Sequence, residues 1–353
     1  MKPAELVERL VATPSVSGDE SRIAAFVASY AESFGVGVQR AANNVWFTLG
    51  AATGPTLLFI SHLDTVPPCA GWRSDPLRPR WDGRRLYGLG ANDAKASVAA
   101  MLSLAASLAR DASRIPGRIV FALTAEEETG GPGGVASVLR EFGPIDAAVV
   151  GEPTGLDACA AQRGMLLLKC TAKGRSAHVA HAQLADNAIE RAARDITRLT
   201  DKTFDPHPLL GATRAQVTQV SGGLQRNQVP DRCEFFVDLR TTPNLDHANV
   251  AAQLAAVLES EVAIHSERYA PKATALGHAI VRAALAANGR AAPVGSGTTS
   301  DWAFLGEIPA VKMGPGDSRR SHCPDEYIEC DEVVAGAAVY GEIARHYFRE
   351  ANA

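Results

Sequence analysis

Carboxylates and histidines, the side chains best suited to holding divalent cations, recur just past the ends of short apolar runs. Leu57-Leu58-Phe59-Ile60 leads through Ser61 into His62-Leu63-Asp64. Ile119 to Leu123 leads through Thr124-Ala125 into Glu126-Glu127-Glu128. Ala147 to Val150 leads through Gly151 into Glu152, and Asp93 opens a helical pattern after Gly88-Leu89-Gly90. Singly, each has an ordinary explanation. His-x-Asp can be a solvated turn, a Glu triplet a charged patch, Glu152 a strand terminus before Pro153, and Asp93 an N-cap worth ~1 kcal/mol. Jointly, they would crowd like charges, which repel and raise one another's pKa. A divalent cation neutralises such a cluster. Imidazole with carboxylate and no thiolate suits zinc-like ions better than magnesium or calcium. Two histidines and three or more carboxylates exceed the needs of one zinc and match two ions about 3.5–4 Å apart.

The elements that must carry these groups are legible in outline. Residues 4–11 and 21–34 read as helices. The three apolar runs fit strands buried on both faces of a sheet. Between the first two, Val98, Met101, Leu102, Leu104, Ala105 and Leu108 recur at helical steps. Strands alternating with helices predict a mainly parallel sheet, and ligands bind outside the carboxyl ends of such strands.

The pattern changes near Gly164. Residues 165–171 read as a strand, 184–200 as an amphipathic helix, and 215–220 as a strand before Ser221-Gly222-Gly223. Residues 232–240 alternate between apolar and polar, 247–259 read as a helix, and 261–267 as a last strand. That βαββαβ order is the ferredoxin-like plan. It predicts an inserted domain over 165–267, with 1–164 and 268–353 forming the other. Helices over 277–288 and 331–349 and a strand from Ile308 to Met313 complete the latter.

Composition narrows the function classes. The 353 residues are 46% hydrophobic and 21% charged, with a formal net charge of −4, which is ordinary globular composition. No basic stripe suggests nucleic acid, and the cluster Arg78 to Arg85, broken by Pro79, Trp81, Asp82 and Gly83, reads as a turn. No apolar run is long enough to span a membrane. The six cysteines show no CxxC spacing, and the start has no leader pattern, so a cytoplasmic protein with reduced thiols is expected.

SHLDTVPP, YGLGANDAK, TAEEETGG, VVGEPTG, the SAHVAH segment and the late Ser-His322 together resemble the M20 metallopeptidase family, over nearly the whole chain and in order. The resemblance implies a catalytic α/β domain interrupted by a dimerisation lid, hence a homodimer. It also implies two divalent ions, zinc with cobalt able to substitute. The implied reaction is hydrolysis of a linear amide bond on a small N-acyl amino acid, with water as second substrate.

The same resemblance assigns roles. His62 and Glu152 would hold one ion, Glu128 and His322 the other, and Asp93 would bridge them. Asp64 would orient His62, and Glu127 would be the general base. His178 would stabilise the oxyanion in the neighbouring subunit's site. Asn227 and Arg240 would bind the substrate carboxylate, and Thr299 and Ser300 would line the substrate loop. Two departures stand out: Ala96 where the family often has Gly, and Glu126 where Asp usually precedes the Glu pair. YGLGANDAK and the short chain look most like acetylornithine deacetylase and its N-acetylcitrulline relatives in arginine biosynthesis. Succinyl-diaminopimelate desuccinylase is the alternative, and a dipeptidase or carboxypeptidase the third reading.

Rival chemistries lack their motifs. There is no G-x-S-x-G elbow, and Cys323 beside His322 makes a poor dyad. Gly88-x-Gly90 lacks the rest of a dinucleotide fingerprint, and Gly130–Gly134 lacks the Lys of a P-loop. A non-catalytic binding protein on the same fold would be expected to have lost some of these groups.

Overall fold

The computed structural model describes residues 1–51 and 53–352. The chain divides into two compact units. One comprises Met1–Ala161, Ala273–Ser296 and Ser300–Ala353; the other comprises Gln162–Lys272 and Gly297–Thr299.

The first unit is a mixed α/β fold around a mainly parallel sheet. Its strands run in the order Val38–Ala41, Asn44–Gly50, Arg118–Thr124, Thr56–His62, Ala147–Val150, Ala310–Lys312 and Cys159–Gln162. The four central strands, Arg118–Thr124 through Ala310–Lys312, pair in parallel. Thr56–His62 is buried at every position, as a continuous apolar run demands when helices cover both faces. Phe121 stacks between Phe47 and Phe59, with ring centroids 5.3 and 5.4 Å away. Each such pair adds roughly 0.5–1.5 kcal/mol beyond burial.

The helix Lys95–Leu108 is buried on nearly every side and packs against Cys330–Ala351, which also packs against Ala279–Asn288. Gly336 permits this approach: a Cβ there would lie 3.3 Å from that of Ala100. The parallel arrangement puts the carboxyl ends of Thr56–His62, Arg118–Thr124, Ala147–Val150 and Ala310–Lys312 on one edge. His62, the Glu127–Glu128 pair and Glu152 stand at or just past three of these ends.

The second unit is an antiparallel four-stranded sheet. Its order is Ala215–Gly222, Arg232–Leu239, Met165–Lys173, Glu261–Tyr269. Helices Ala188–Asp201 and His247–Ala255 bury Ala192, Leu199, Val250 and Leu254 against Leu166, Leu168, Phe235 and Val237. These positions are the alternating apolar face of the strands.

Two local readings shift. The helix expected from 184 begins at Ala188, because Asn187 caps it by accepting from Ile189 N at 3.0 Å and a 3-10 turn occupies Val179–Leu184. The basic cluster at 78–85 is more than a turn: Arg80–Asp82 and Arg85–Tyr87 form a hairpin, to which Tyr327–Glu329 adds a third strand. All six cysteines are free thiols. Among the described residues, no helix is long and apolar enough to cross a membrane.

Candidate metal centre

His62 ends its strand with its ring buried. Its Nδ1 lies 3.0 Å from the main-chain oxygen of Asp64 and 3.4 Å from Asp64 Oδ1. Both partners only accept, so Nδ1 carries the proton and Nε2 presents a lone pair. Yet Nε2 faces Asp93 Oδ1 at 3.3 Å and Glu152 Oε1 at 3.8 Å, which are also lone-pair donors. A cation between them satisfies that geometry, as does an added proton on the ring or on a carboxylate.

His322 repeats the arrangement. Its Nε2 lies 3.0 Å from Glu128 Oε2 and 3.9 Å from Asp93 Oδ2. Asp93 thus turns one oxygen toward each histidine. Two overlapping groups, His62 with Glu127 and Glu152, and His62 with Asp93 and Glu128, have their potential ligand atoms within 4.8 Å of one another.

Asp64 is fully buried and organises the neighbouring loop. Its Oδ1 accepts from Glu127 N and its Oδ2 from Glu128 N, each at 3.1 Å, while Ser17 Oγ donates to Oδ2 at 2.7 Å. The departure at Glu126 has a structural reason. Glu126 turns the corner with φ of +55°, and its carboxylate folds back to accept from Gly133 N at 2.9 Å. It fills the space a Cβ on Gly131 or Gly133 would take. Its own N–H donates to the buried Glu20 Oε1 at 3.2 Å. Glu126 therefore shapes the turn and leaves Glu127 and Glu128 to the cluster. His322 also has a left-handed backbone, with φ of +58°. Left-handed backbone at a non-glycine residue costs about 1–3 kcal/mol and concentrates at functional sites.

The electrostatics reflect crowding. Burial disfavours the His62 imidazolium, but hydrogen bonds to Asp64 and Asp93 outweigh it and hold its pKa well above the usual value. Burial first, then Glu152, Asp301 and Glu128, push Glu127 well above the carboxylate range, against the pull of His62. Burial lifts Glu152 to about 7, with Lys312 opposing and Asp93 reinforcing. A hydrogen bond to Glu128 raises His322 to about 9. Desolvation would raise Asp93, but its contacts with His62 hold it below the usual value. Such opposed shifts mark an acid cluster completed by positive charge.

Several participants were given no role from the sequence. Lys312, buried at the end of its strand, has Nζ 3.9 Å from Glu152 Oε2. Asp301 accepts from Thr124 Oγ1 at 2.7 Å, and burial raises it to about 6. Lys95 buries its amine against the Thr13 carbonyl at 3.1 Å. Glu326 accepts three N–H groups from the loop holding Asp93. Asp301 closes Gly297–Asp301 and Lys95 stands within YGLGANDAK, whereas Lys312 and Glu326 become neighbours only through the fold.

The remaining expected residues are placed as follows. Ser300 is buried and caps the short helical turn Asp301–Phe304 by accepting from Trp302 N. Thr299 falls in the second unit. His178, Asn227 and Arg240 also lie there and are exposed. His178 Nδ1 accepts from Ala180 N at 3.1 Å, and the Arg240 fork rests on Asp238 at 3.0 and 3.3 Å.

Comparison with known proteins gives a consistent pattern. The model of peptidase family M20/M25/M40 matches residues 58–346. The chain is 30% identical to a succinyl-diaminopimelate desuccinylase of Stenotrophomonas maltophilia, over 95% of this chain and 96% of the relative. It is 30% identical to the enzyme of that name from Xanthomonas campestris, over 95% of each. In structure it is similar to aminopeptidase PepT from Bacillus cereus, with a TM-score of 0.80 and 24% identity, covering 98% of each chain.

Proposed function

With the chain a member of peptidase family M20/M25/M40 and so a hydrolase of amide bonds, we propose that it removes the acyl group from a small N-acyl amino acid, with two zinc-like ions at the His62–Asp93–His322 cluster. The observation that carries this reading is the paired geometry of Asp93, one oxygen toward each histidine Nε2. The donor set fits the ions: two imidazole Nε2 atoms and three carboxylates, with Nδ1 of His62 already committed to Asp64. His62 and Glu152 would hold one ion, Glu128 and His322 the other, with Asp93 between. The pair would polarise the amide carbonyl and acidify the attacking water.

The chain's own groups then have definite tasks. Glu127, its pKa raised by burial, takes the proton from water as the water oxygen attacks the carbonyl carbon. It returns that proton to the nitrogen as the C–N bond breaks, releasing the acid and the amine. Asp64 holds His62 in the tautomer that offers Nε2 and fixes Glu127 and Glu128 through their N–H groups. His178, with Nδ1 accepting from Ala180, keeps its proton on Nε2, the form able to donate to an oxyanion. This task falls on a neighbouring subunit's site in a homodimer. Arg240 and Asn227 bind the substrate carboxylate, for which the planar guanidinium is suited. Thr299 borders the substrate, and Ser300, buried beside it, holds the turn that carries Asp301.

Among acyl groups succinyl comes first, because the relatives at 30% identity are desuccinylases of succinyl-diaminopimelate. This reverses the order expected from the motifs. Deacetylation of N-acetylornithine or N-acetylcitrulline is the second reading, carried by Tyr87–Lys95. A panel of N-succinyl and N-acetyl amino acids and dipeptides, assayed with added Zn²⁺ or Co²⁺, tests both. Highest kcat/KM on N-succinyl-diaminopimelate supports the first order, and on the acetyl substrates the second. Turnover of none would overturn the amidohydrolase reading.

A further inference from the structure

Glu326 is absent from the ligand cluster, yet the loop that presents Asp93 is tied to it at four points. Its main-chain oxygen accepts from Gly88 N at 3.0 Å. Its Oε2 accepts from Gly90 N at 3.0 Å, and its Oε1 from both Asn92 N and Asp93 N at 2.9 Å. The side chain is buried, with 2% exposure. A buried carboxylate survives only when its oxygens are satisfied, and here main-chain donors satisfy them. The strand that follows, Tyr327–Glu329, pairs with Arg85–Tyr87 and fixes the register of the two segments.

The same loop is tied to the segment bearing His322. Asn92 Oδ1 accepts from Asp317 N at 2.9 Å. Asn92 Nδ2 donates to Asp317 O and to Ser321 Oγ, each at 3.1 Å. Asn92 is fully buried. Glu326 and Asn92 thus join the carboxylate facing both histidines to the histidine on its far side.

From this geometry we infer that Glu326 is a positioning residue: it sets the place of Asp93 relative to His322, and so the occupancy of the second ion and the coupling between the two. The inference rests on reading Asp93 as the bridging ligand. Glu326 acts through the loop's N–H groups and touches neither ion nor substrate. Outer partners of metal ligands typically change metal affinity by about 10–100-fold when altered.

The test uses the full-length protein, stripped of metal and titrated with Mn²⁺. Affinity for the first and second equivalents is read by calorimetry, and the exchange-coupled signal of a paired site by electron paramagnetic resonance. Glu326→Gln keeps the shape but puts an N–H₂ where one N–H must find an acceptor. The expected result is a second-ion affinity weakened about 10–100-fold, with the coupled signal lost, the first ion retained and kcat reduced more than KM is raised. A lower melting temperature with affinity and coupled signal unchanged would show a merely structural role and overturn the inference. If Glu326→Gln fails to fold, Glu326→Asp, shorter by one methylene, carries the same two outcomes. Wild-type protein without a coupled pair would instead sink the two-ion reading, and this inference with it.

Discussion

His62 Nε2 lies 3.3 Å from Oδ1 of Asp93, and the other oxygen of that carboxylate faces His322 Nε2 at 3.9 Å. One short acid therefore lies between two imidazoles that come from opposite ends of the chain. Neither histidine reaches it by sequence proximity. The parallel sheet and the loop held by Glu326 bring the three together.

In the proposed reaction Glu127 moves the proton, and burial with the neighbouring acids raises its proton affinity. Glu127→Gln keeps the shape and removes the base. Metal content should stay near that of wild type while kcat falls by about 10²–10⁴. Metal analysis beside steady-state kinetics checks this; near-normal turnover would mean the base lies elsewhere.

Much of this arrangement was legible before folding, for a physical reason. Strands buried on both faces, such as Thr56–His62, read as continuous apolar runs, and whatever follows them stands at the sheet edge. Helix positions followed from periodicity, but the start at Ala188 depended on the Asn187 cap. Glu326 and Lys312 were not legible: each sits in a stretch without a motif and meets the site only in three dimensions. Lys95 closes YGLGANDAK, but its buried contact with Thr13 is visible only in the fold. The role of Glu126 was equally hidden, since only the structure shows its carboxylate turned back onto Gly133.

Asp64 supports both His62 and the Glu127–Glu128 turn. Asp64→Asn replaces one acceptor by a donor facing an N–H. Metal affinity should weaken by about 10–100-fold, and the melting temperature of the metal-free protein should fall. Calorimetric metal titration and thermal unfolding measure the two effects, and unchanged affinity would remove Asp64 from its orienting role.

Without metal, stability should depend on pH in a defined direction. Glu152 has its pKa raised from 4.5 to about 7 by burial. The folded state therefore binds more protons than the unfolded state between those values, and stability falls as pH rises through them. His322, raised from 6.5 to about 9 by its bond to Glu128, extends the loss toward higher pH. Metal-free protein should melt at progressively lower temperature from pH 5 to 8, less steeply in Glu152→Gln, and added Zn²⁺ should flatten the trend. A melting temperature that rises over this range would contradict the assignment.

His178→Ala should lower kcat by about 10²–10³ without changing metal content. If the imidazole acts across a dimer, mixing His178→Ala with Glu127→Gln under subunit exchange should restore activity, since one site then has both intact groups. Two variants that stay inactive on mixing would confine His178 to its own subunit or exclude it.

The most direct test is anomalous diffraction at the zinc edge from crystals grown with Zn²⁺. Two peaks about 3.5–4 Å apart are predicted on either side of Asp93, one beside His62 and Glu152, the other beside Glu128 and His322. A single peak remote from Asp93, or none at all, would contradict the account.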